Sequence, residues 1–306
     1  MLHQPISTPI VLTIAGSDSG GGAGIQADIK AISATGSYAC SVITAITAQN
    51  TLGVSAIFPI PLEHVEKQLD AVFSDIHVSA VKIGMLADAD IIRVVAAKIR
   101  QYQPKFLVLD PVMVATSGDP LLEKSAISSL KRELLGLADV ITPNLPEAAL
   151  LIDRPVPRNE AEMMQMVNDL RQLGARTVLL KGGHLSDSPE SVDLLITADK
   201  VERLSAARIN TQNTHGTGCT LSSAIASYLA QGESLTDAVA KAKAYLHAAL
   251  AQADTLNIGQ GHGPVHHFFA LDNSVESSQD NYADIAVNNL PEHALDAELE
   301  TTHAPR

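Results

Sequence analysis

Residues 213–223 read Asn-Thr-His-Gly-Thr-Gly-Cys-Thr-Leu-Ser-Ser, and these residue types at this spacing suit charge stabilisation at a helix start. Leu221, Ala224, Ile225, Tyr228 and Leu229 recur at i, i+3, i+4, i+7 and i+8, one apolar face of a 3.6-residue period. Gly216, Thr217 and Gly218 then lie just before or within the first turn, where amides without intrahelical partners and the helix dipole make an anion site. Glycine there lets the backbone approach a ligand with no Cβ in the way. Cys219 falls in the same turn, where a thiol of ordinary pKa about 8.5 can be lowered and the thiolate favoured. An activating group beside an anion hole is what phosphoryl transfer asks for, since that chemistry is mostly positioning and charge stabilisation. The same residues also fit a plain glycine-rich turn entering a buried helix, with Cys219 a small core side chain.

The elements that must position this stretch alternate along the chain. Residues 9–15 form a short apolar run bounded by Gly16, which predicts a strand buried on both faces. Residues 17–24 are turn-rich, and Ile25, Ile29 and Ile32 mark a helix that Gly36 stops. Strand-like runs follow at 39–48 and 54–60. Helices are expected at 62–73, 88–100, 125–135 and near 146–151, and strands at 80–83, 106–109 and 139–141. Asn159 with Glu162 resembles a capping box opening a helix to Leu173. A strand at 177–180, a hairpin over 193–207 turning at Asp199-Lys200, and two long helices at 218–231 and 235–256 complete the pattern. Strands alternating with helices mean βαβ units, hence an α/β, three-layer αβα sandwich on a mostly parallel sheet. One domain over residues 1–270 is the simpler division. Residues 271–306 hold eight Asp or Glu against one Arg and predict a mobile acidic tail.

Composition narrows the function classes. The 306 residues are 46% apolar and 18% charged, as in a globular chain, and the net charge of −13 argues against nucleic acid as a partner. No window approaches 18 consecutive apolar residues, so no membrane span is expected. Two cysteines, Cys40 and Cys219, make no disulfide framework. With no basic segment and apolar run at the start, the cytoplasm is the expected compartment.

In open α/β sheets ligands sit outside the carboxyl ends of the strands. Gly16, Gly84-Met85, Asp110-Pro111, Thr142-Pro143-Asn144 and Lys181-Gly182-Gly183-His184 each follow a predicted strand, so one crevice lined by several loops is expected. No Gly-x-x-x-x-Gly-Lys-Ser/Thr, Gly-x-Gly-x-x-Gly or Gly-x-Ser-x-Gly occurs at a fitting place, which disfavours P-loop, dinucleotide and α/β-hydrolase chemistry. Asn144 and Glu147, three apart after a strand, can hold a hydrated Mg²⁺ or can simply open a helix, and Lys181 can meet a phosphate or be solvated.

Seven segments carry a family resemblance. They begin with Ala-Gly-Ser-Asp-Ser-Gly-Gly-Gly-Ala-Gly-Ile-Gln-Ala-Asp at 15–28, Thr-Ala-Gln-Asn-Thr at 47–51 and Lys-Ile-Gly-Met-Leu at 82–86. Asp-Pro-Val-Met at 110–113, Thr-Pro-Asn-Leu-Pro-Glu at 142–147, Lys-Gly-Gly-His at 181–184 and Thr-His-Gly-Thr-Gly-Cys-Thr-Leu-Ser at 214–222 follow in order. Together they resemble the bacterial hydroxymethylpyrimidine/phosphomethylpyrimidine kinases of thiamine biosynthesis, which have the ribokinase-like fold. The resemblance implies ATP-dependent phosphorylation of 4-amino-5-hydroxymethyl-2-methylpyrimidine, then of its monophosphate, with Mg²⁺. It places Gly16, Asp28, Gln49, Met85 and Val112 around the pyrimidine, and Asp110, Asn144, Lys181 and Thr214 near the triphosphate. Glu147 and Asn144 would organise Mg²⁺ through water, and Cys219, with the amides of Gly216, Thr217 and Gly218, would stand at the transfer. It also implies a homodimer. A pyridoxal kinase of the same fold, a pyrimidine-binding regulator without turnover, and an enzyme using Cys219 covalently are the competing readings.

Overall fold

The computed structural model describes residues 8–113, 124–185, 188–271 and 286–289. Strand β1 (Ile10–Asp18) leads through a glycine-rich turn into α1 (Gly24–Ala34), and β2 (Tyr38–Asn50) with β3 (Gly53–Pro59) forms a hairpin. The next units are α2 (Leu62–Asp75), β4 (Ala80–Ile83), α3 (Ala89–Tyr102), β5 (Leu107–Leu109), α4 (Lys124–Glu133), β6 (Val140–Ile141) and α5 (Leu145–Ile152). Then come α6 (Glu160–Gln165), α7 (Val167–Arg171), β7 (Val178–Lys181), the hairpin of β8 (Glu190–Ile196) and β9 (Val201–Ala207), α8 (Thr217–Ala230), α9 (Leu235–Ala251) and β10 (Ala286–Asn289).

The strands form one sheet in the order β10-β9-β8-β7-β6-β5-β4-β1-β2-β3. Its centre, from β2 across β1, β4, β5 and β6 to β7, is parallel, whereas β3 and the β8, β9 and β10 edge pair antiparallel. Alternate side chains leave opposite faces of a strand, and here they divide two cores. Leu12, Ile14, Val81, Ile83, Leu107 and Leu109 pack with α2, α3, α4 and α5 on one side. Val11, Ala80, Val108, Val140 and Leu179 pack with α1, α8 and α9 on the other. Two helix layers enclosing a sheet with a parallel centre make the expected three-layer sandwich.

Three expectations need correction. The single helix predicted over 159–173 is two, because the chain tightens at Met166, whose amide bonds the Met163 carbonyl three residues back. The last core helix ends at Ala251, and a 3₁₀ turn at Ala253–Thr255 replaces its predicted final turn. Within the acidic tail, residues 286–289 are strand β10, set against β9 from Ala286 opposite Ser205 to Asn289 opposite Glu202. An edge strand presents unpaired N–H and C=O groups that template such an addition. The remainder of the predicted tail, 272–285 and 290–306, lies outside the described residues.

Candidate active site

A cleft of about 880 Å³ opens at the carboxyl ends of β1, β2, β4, β5, β6 and β7, against the head of α8. Gly16, Gln49, Met85 and Val112 line it from the strand ends, as do Asp110, Asn144 and Lys181 at the ends of β5, β6 and β7 and Glu147 in the first turn of α5. Thr214, Gly216, Thr217, Gly218 and Cys219 supply the α8 wall.

The head of α8 depends on Gly216, which stands at φ +79, where a Cβ would fall 1.8 Å from the Gly22 carbonyl oxygen. Only glycine combines that left-handed conformation with so close an approach. A Cβ on Gly218 would lie 3.2 Å from Lys181 Nζ and 3.3 Å from Asp110 Oδ2, so the bare backbone of this turn fronts that ion pair. As second and third residues of the helix, Gly218 and Cys219 have amides with no intrahelical acceptor.

Lys181 Nζ donates to Asp110 Oδ1 at 2.9 Å, and Thr142 Oγ1 donates to the same oxygen at 2.9 Å. Burial works against charge on both partners. For Asp110 the nearby Lys181 and Lys82 outweigh it and hold the carboxyl below the usual carboxylate range. For Lys181 the attraction of Asp110 and Glu147 outweighs it and raises the pKa. The pair is therefore ionic at neutral pH. Glu147 differs: burial pushes its pKa up to about 7, against the pull of Lys181. Asn144 caps α5, its Oδ1 accepting from the Glu147 amide at 2.9 Å while Glu147 Oε2 accepts from the Asn144 amide at 2.8 Å. The spacing at 144–147 is thus a helix-opening capping box, and both side chains line the cleft.

Two site expectations fail in their simple form. Asp28 does not line the cleft. It is fully buried behind it, where Lys82 Nζ donates to its two oxygens at 2.7 and 2.8 Å, and Thr13 and Ser223 hydroxyls donate as well. Cys219 does face the cleft, yet burial pushes its thiol up to about 11, although Lys82 and the Gly24 amide pull the other way. A helix start lowers a thiol pKa where water reaches the sulfur; here desolvation and the nearby Asp28 and Asp110 charges win.

Sequence reasoning passed over Asp18, Lys82 and His215, all of which line the cleft, and the face of α9 carrying Leu246, His247 and Leu250. Lys82 carried a signal: a lysine inside a strand buried on both faces must be paired. His215, between Thr214 and Gly216, carried none beyond its neighbours.

A sheet with a parallel centre and helix layers on both sides, with a lysine–aspartate pair before a glycine-rich helix head in its strand-end cleft, defines a small-molecule kinase of the ribokinase-like class. Known structures agree: pyridoxal kinase from Staphylococcus aureus in complex with AMP-PCP and pyridoxal superposes with a TM-score of 0.81 at 32% identity, covering 93% of this chain and 100% of that one. Phosphomethylpyrimidine kinase from Clostridium difficile superposes with a TM-score of 0.69 at 45% identity, covering 79% and 99%. The family model for phosphomethylpyrimidine kinase matches residues 18–266. The hydroxymethylpyrimidine/phosphomethylpyrimidine kinase of Rhizobium meliloti is 57% identical over 261 residues, covering 85% of this chain and 97% of that one. Its Escherichia coli counterpart is 53% identical over 259 residues with the same coverage. The chain belongs to the phosphomethylpyrimidine kinase family.

Proposed function

We propose that this chain transfers the γ-phosphoryl group of ATP to the hydroxymethyl oxygen of 4-amino-5-hydroxymethyl-2-methylpyrimidine, and then phosphorylates the monophosphate to the diphosphate, in thiamine biosynthesis. The observation that carries this is the Lys181–Asp110 pair set before the Gly218–Cys219 backbone, in a cleft whose other wall bears Gln49 and Met85. Gln49 offers a donor and an acceptor to an aminopyrimidine edge, and Gly16, Met85 and Val112 give the ring close or apolar walls. The apolar face of α9, with Leu246 and Leu250, suits the adenine.

In each transfer a bond forms between the acceptor oxygen and the γ-phosphorus, the bond from that phosphorus to the β-phosphate oxygen breaks, and ADP leaves. Lys181 and the helix-head amides stabilise charge on the moving group. The acceptor hydroxyl must also lose its proton. With a thiol at about 11, Cys219 is protonated at neutral pH, so its first task is to position the hydroxymethyl oxygen. A loose phosphoryl-transfer transition state asks little of a base, so the proton can pass late to an oxygen of the transferred phosphoryl group.

Magnesium fits this site in hydrated form. Among the described residues no three His, Cys, Asp or Glu side chains group to hold a metal ion. Asp110 and Glu147 beside the phosphate path suit an ion that keeps several waters and shares phosphate oxygens. Bound there, it would neutralise triphosphate charge. Asn144 would act through Glu147, because its side-chain oxygen caps α5.

We also infer a homodimer. Ile46 and Phe58 face each other across the β2–β3 hairpin with half or more of their surface exposed, and Leu52 at its turn is exposed too. The cytoplasm is the compartment we infer, because Cys40 and Cys219 are both free thiols. No helix among the described residues is long and apolar enough to cross a membrane.

The likeness to pyridoxal kinase structures favours pyridoxal as a second acceptor of the same site. ADP release measured with both acceptors and Mg-ATP tests the assignment. A higher kcat/KM for the pyrimidine is expected, and a preference for pyridoxal overturns it.

A further inference from the structure

His215 is buried at 8% exposure ahead of α8, and two polar side chains meet at its ring. Its Nε2 lies 2.8 Å from Asp18 Oδ2 and 3.1 Å from the nearer polar atom of the Gln49 amide. Asp18 also accepts from the amides of Gly20, Gly22 and Ala23 at 2.8, 3.0 and 2.8 Å. Burial alone would raise its pKa, but the His215 contact and the Ala23 and Gly20 amides outweigh that and keep it a carboxylate. A ring nitrogen 2.8 Å from an ionised oxygen must carry hydrogen, since two lone pairs would otherwise collide. Nε2 is therefore a donor and cannot receive an amide N–H.

The atom that Gln49 turns toward His215 must then be its carbonyl oxygen. Thr47 gives the same answer independently. Its one hydroxyl hydrogen goes to the Ser17 carbonyl at 2.8 Å, so toward the other Gln49 atom, 3.3 Å away, it can only accept. That atom must be the amide nitrogen. Oxygen and nitrogen of a glutamine look alike in shape, so the surrounding hydrogen bonds decide the orientation, and both neighbours turn it the same way.

We propose that His215 is a positioning residue for substrate selection: it fixes the Gln49 amide with its oxygen toward the imidazole and its nitrogen toward Thr47. One N–H and one carbonyl lone pair are left for the ligand, a match for a ring nitrogen beside an exocyclic amine. An aminopyrimidine has that edge, whereas the ring nitrogen of pyridoxal has a methyl-bearing carbon on one side and a C–H on the other. The proposal rests on the assignment of this end of the cleft to the pyrimidine.

Two measurements test it. Nitrogen-15 NMR of the histidine rings in the whole ligand-free protein should show His215 Nε2 protonated from pH 6 to pH 8; an unprotonated Nε2 overturns the proposal whatever the substrate. Steady-state kinetics of His215→Leu should show the pyrimidine KM raised roughly tenfold, the size of one lost hydrogen bond, with kcat, the KM for ATP and the KM for pyridoxal each within about threefold. His215→Gln, which keeps a donor of similar reach, should restore the pyrimidine KM. An unchanged pyrimidine KM in the leucine variant, or all three KM values rising together, overturns the positioning role. Wild-type protein inactive on the pyrimidine but showing the protonated Nε2 would instead sink the functional assignment and leave the ring geometry standing.

Discussion

Two lysine–carboxylate pairs flank the head of α8, and they differ in what surrounds them. Lys82 and Asp28 are both fully buried, and Asp28 takes further hydrogen bonds from Thr13 of β1 and Ser223 of α8. Lys181 and Asp110 are nearly as close, at 2.9 Å, and both line the open cleft, as Lys82 does but Asp28 does not. The sealed pair ties α1, β1, β4 and α8 together at one point. The open pair can exchange its partners for a ligand's phosphate oxygens. The two pairs thus differ in the carboxylate: Asp28 is closed off behind the cleft, whereas Asp110 faces it.

Breaking the sealed pair should have the largest effect, and on stability. Lys82→Met leaves the Asp28 carboxylate buried without its cation, a loss of about 3–5 kcal/mol. At roughly 2–4 °C per kcal/mol for a chain this size or somewhat smaller, Tm should fall by about 6–20 °C in calorimetry. Asp28→Leu combined with Lys82→Met should recover much of that loss. Next in size, Lys181→Met should lower kcat/KM for ATP by about 10²–10³, as loss of a transition-state charge contact does, with a smaller fall in Tm than Lys82→Met gives, because Lys82 still faces Asp110. Equal Tm losses in the two single variants would erase the distinction between the pairs.

Cys219→Ala should cost less than Lys181→Met, roughly 10- to 100-fold in kcat with little change in pyrimidine KM, because a protonated thiol positions more than it abstracts. A kcat near wild type would remove Cys219 from the transfer.

The smallest effect concerns pH. Burial raises Glu147 from 4.5 to about 7, so the folded protein holds a proton that the unfolded chain has released. Its contribution to stability is complete below about pH 4.5 and is lost as pH rises through about 7. Glu147→Gln should flatten that part of the Tm-against-pH curve and be the more stable protein at pH 8; parallel curves would contradict the assignment.

Much of this architecture was visible in the sequence, and the failures share a cause. Strand 80–83 and the strand-end positions of Met85, Asp110, Asn144 and Lys181 follow from local pattern alone, since each strand is a short, largely apolar run and each residue stands at or just past its end. Asp28 was put at the pyrimidine by the resemblance alone, and in the structure it belongs to the buried face of α1 with Ile25, Ala27, Ala31 and Ile32. Its partner Lys82 lies 54 residues away, beyond any local pattern. The Cys219 thiol was expected to be acidic because a helix start is legible in a sequence and desolvation is not. Strand β10 was missed because its four residues find their pairing on β9 rather than within their own segment.

The claim that the accepting alcohol and the moving phosphoryl group meet at Cys219 is tested most directly by ligand protection of that thiol. Mass spectrometry of iodoacetamide adducts at pH 9, with Cys40 as the internal reference, should show Cys219 labelling slowed at least roughly tenfold by saturating pyrimidine and a non-hydrolysable Mg-ATP analogue, as expected where bound ligand excludes reagent from the sulfur. Cys40 should label at an unchanged rate. Labelling of Cys219 that is indifferent to both ligands would place the transfer elsewhere in the cleft and contradict the account.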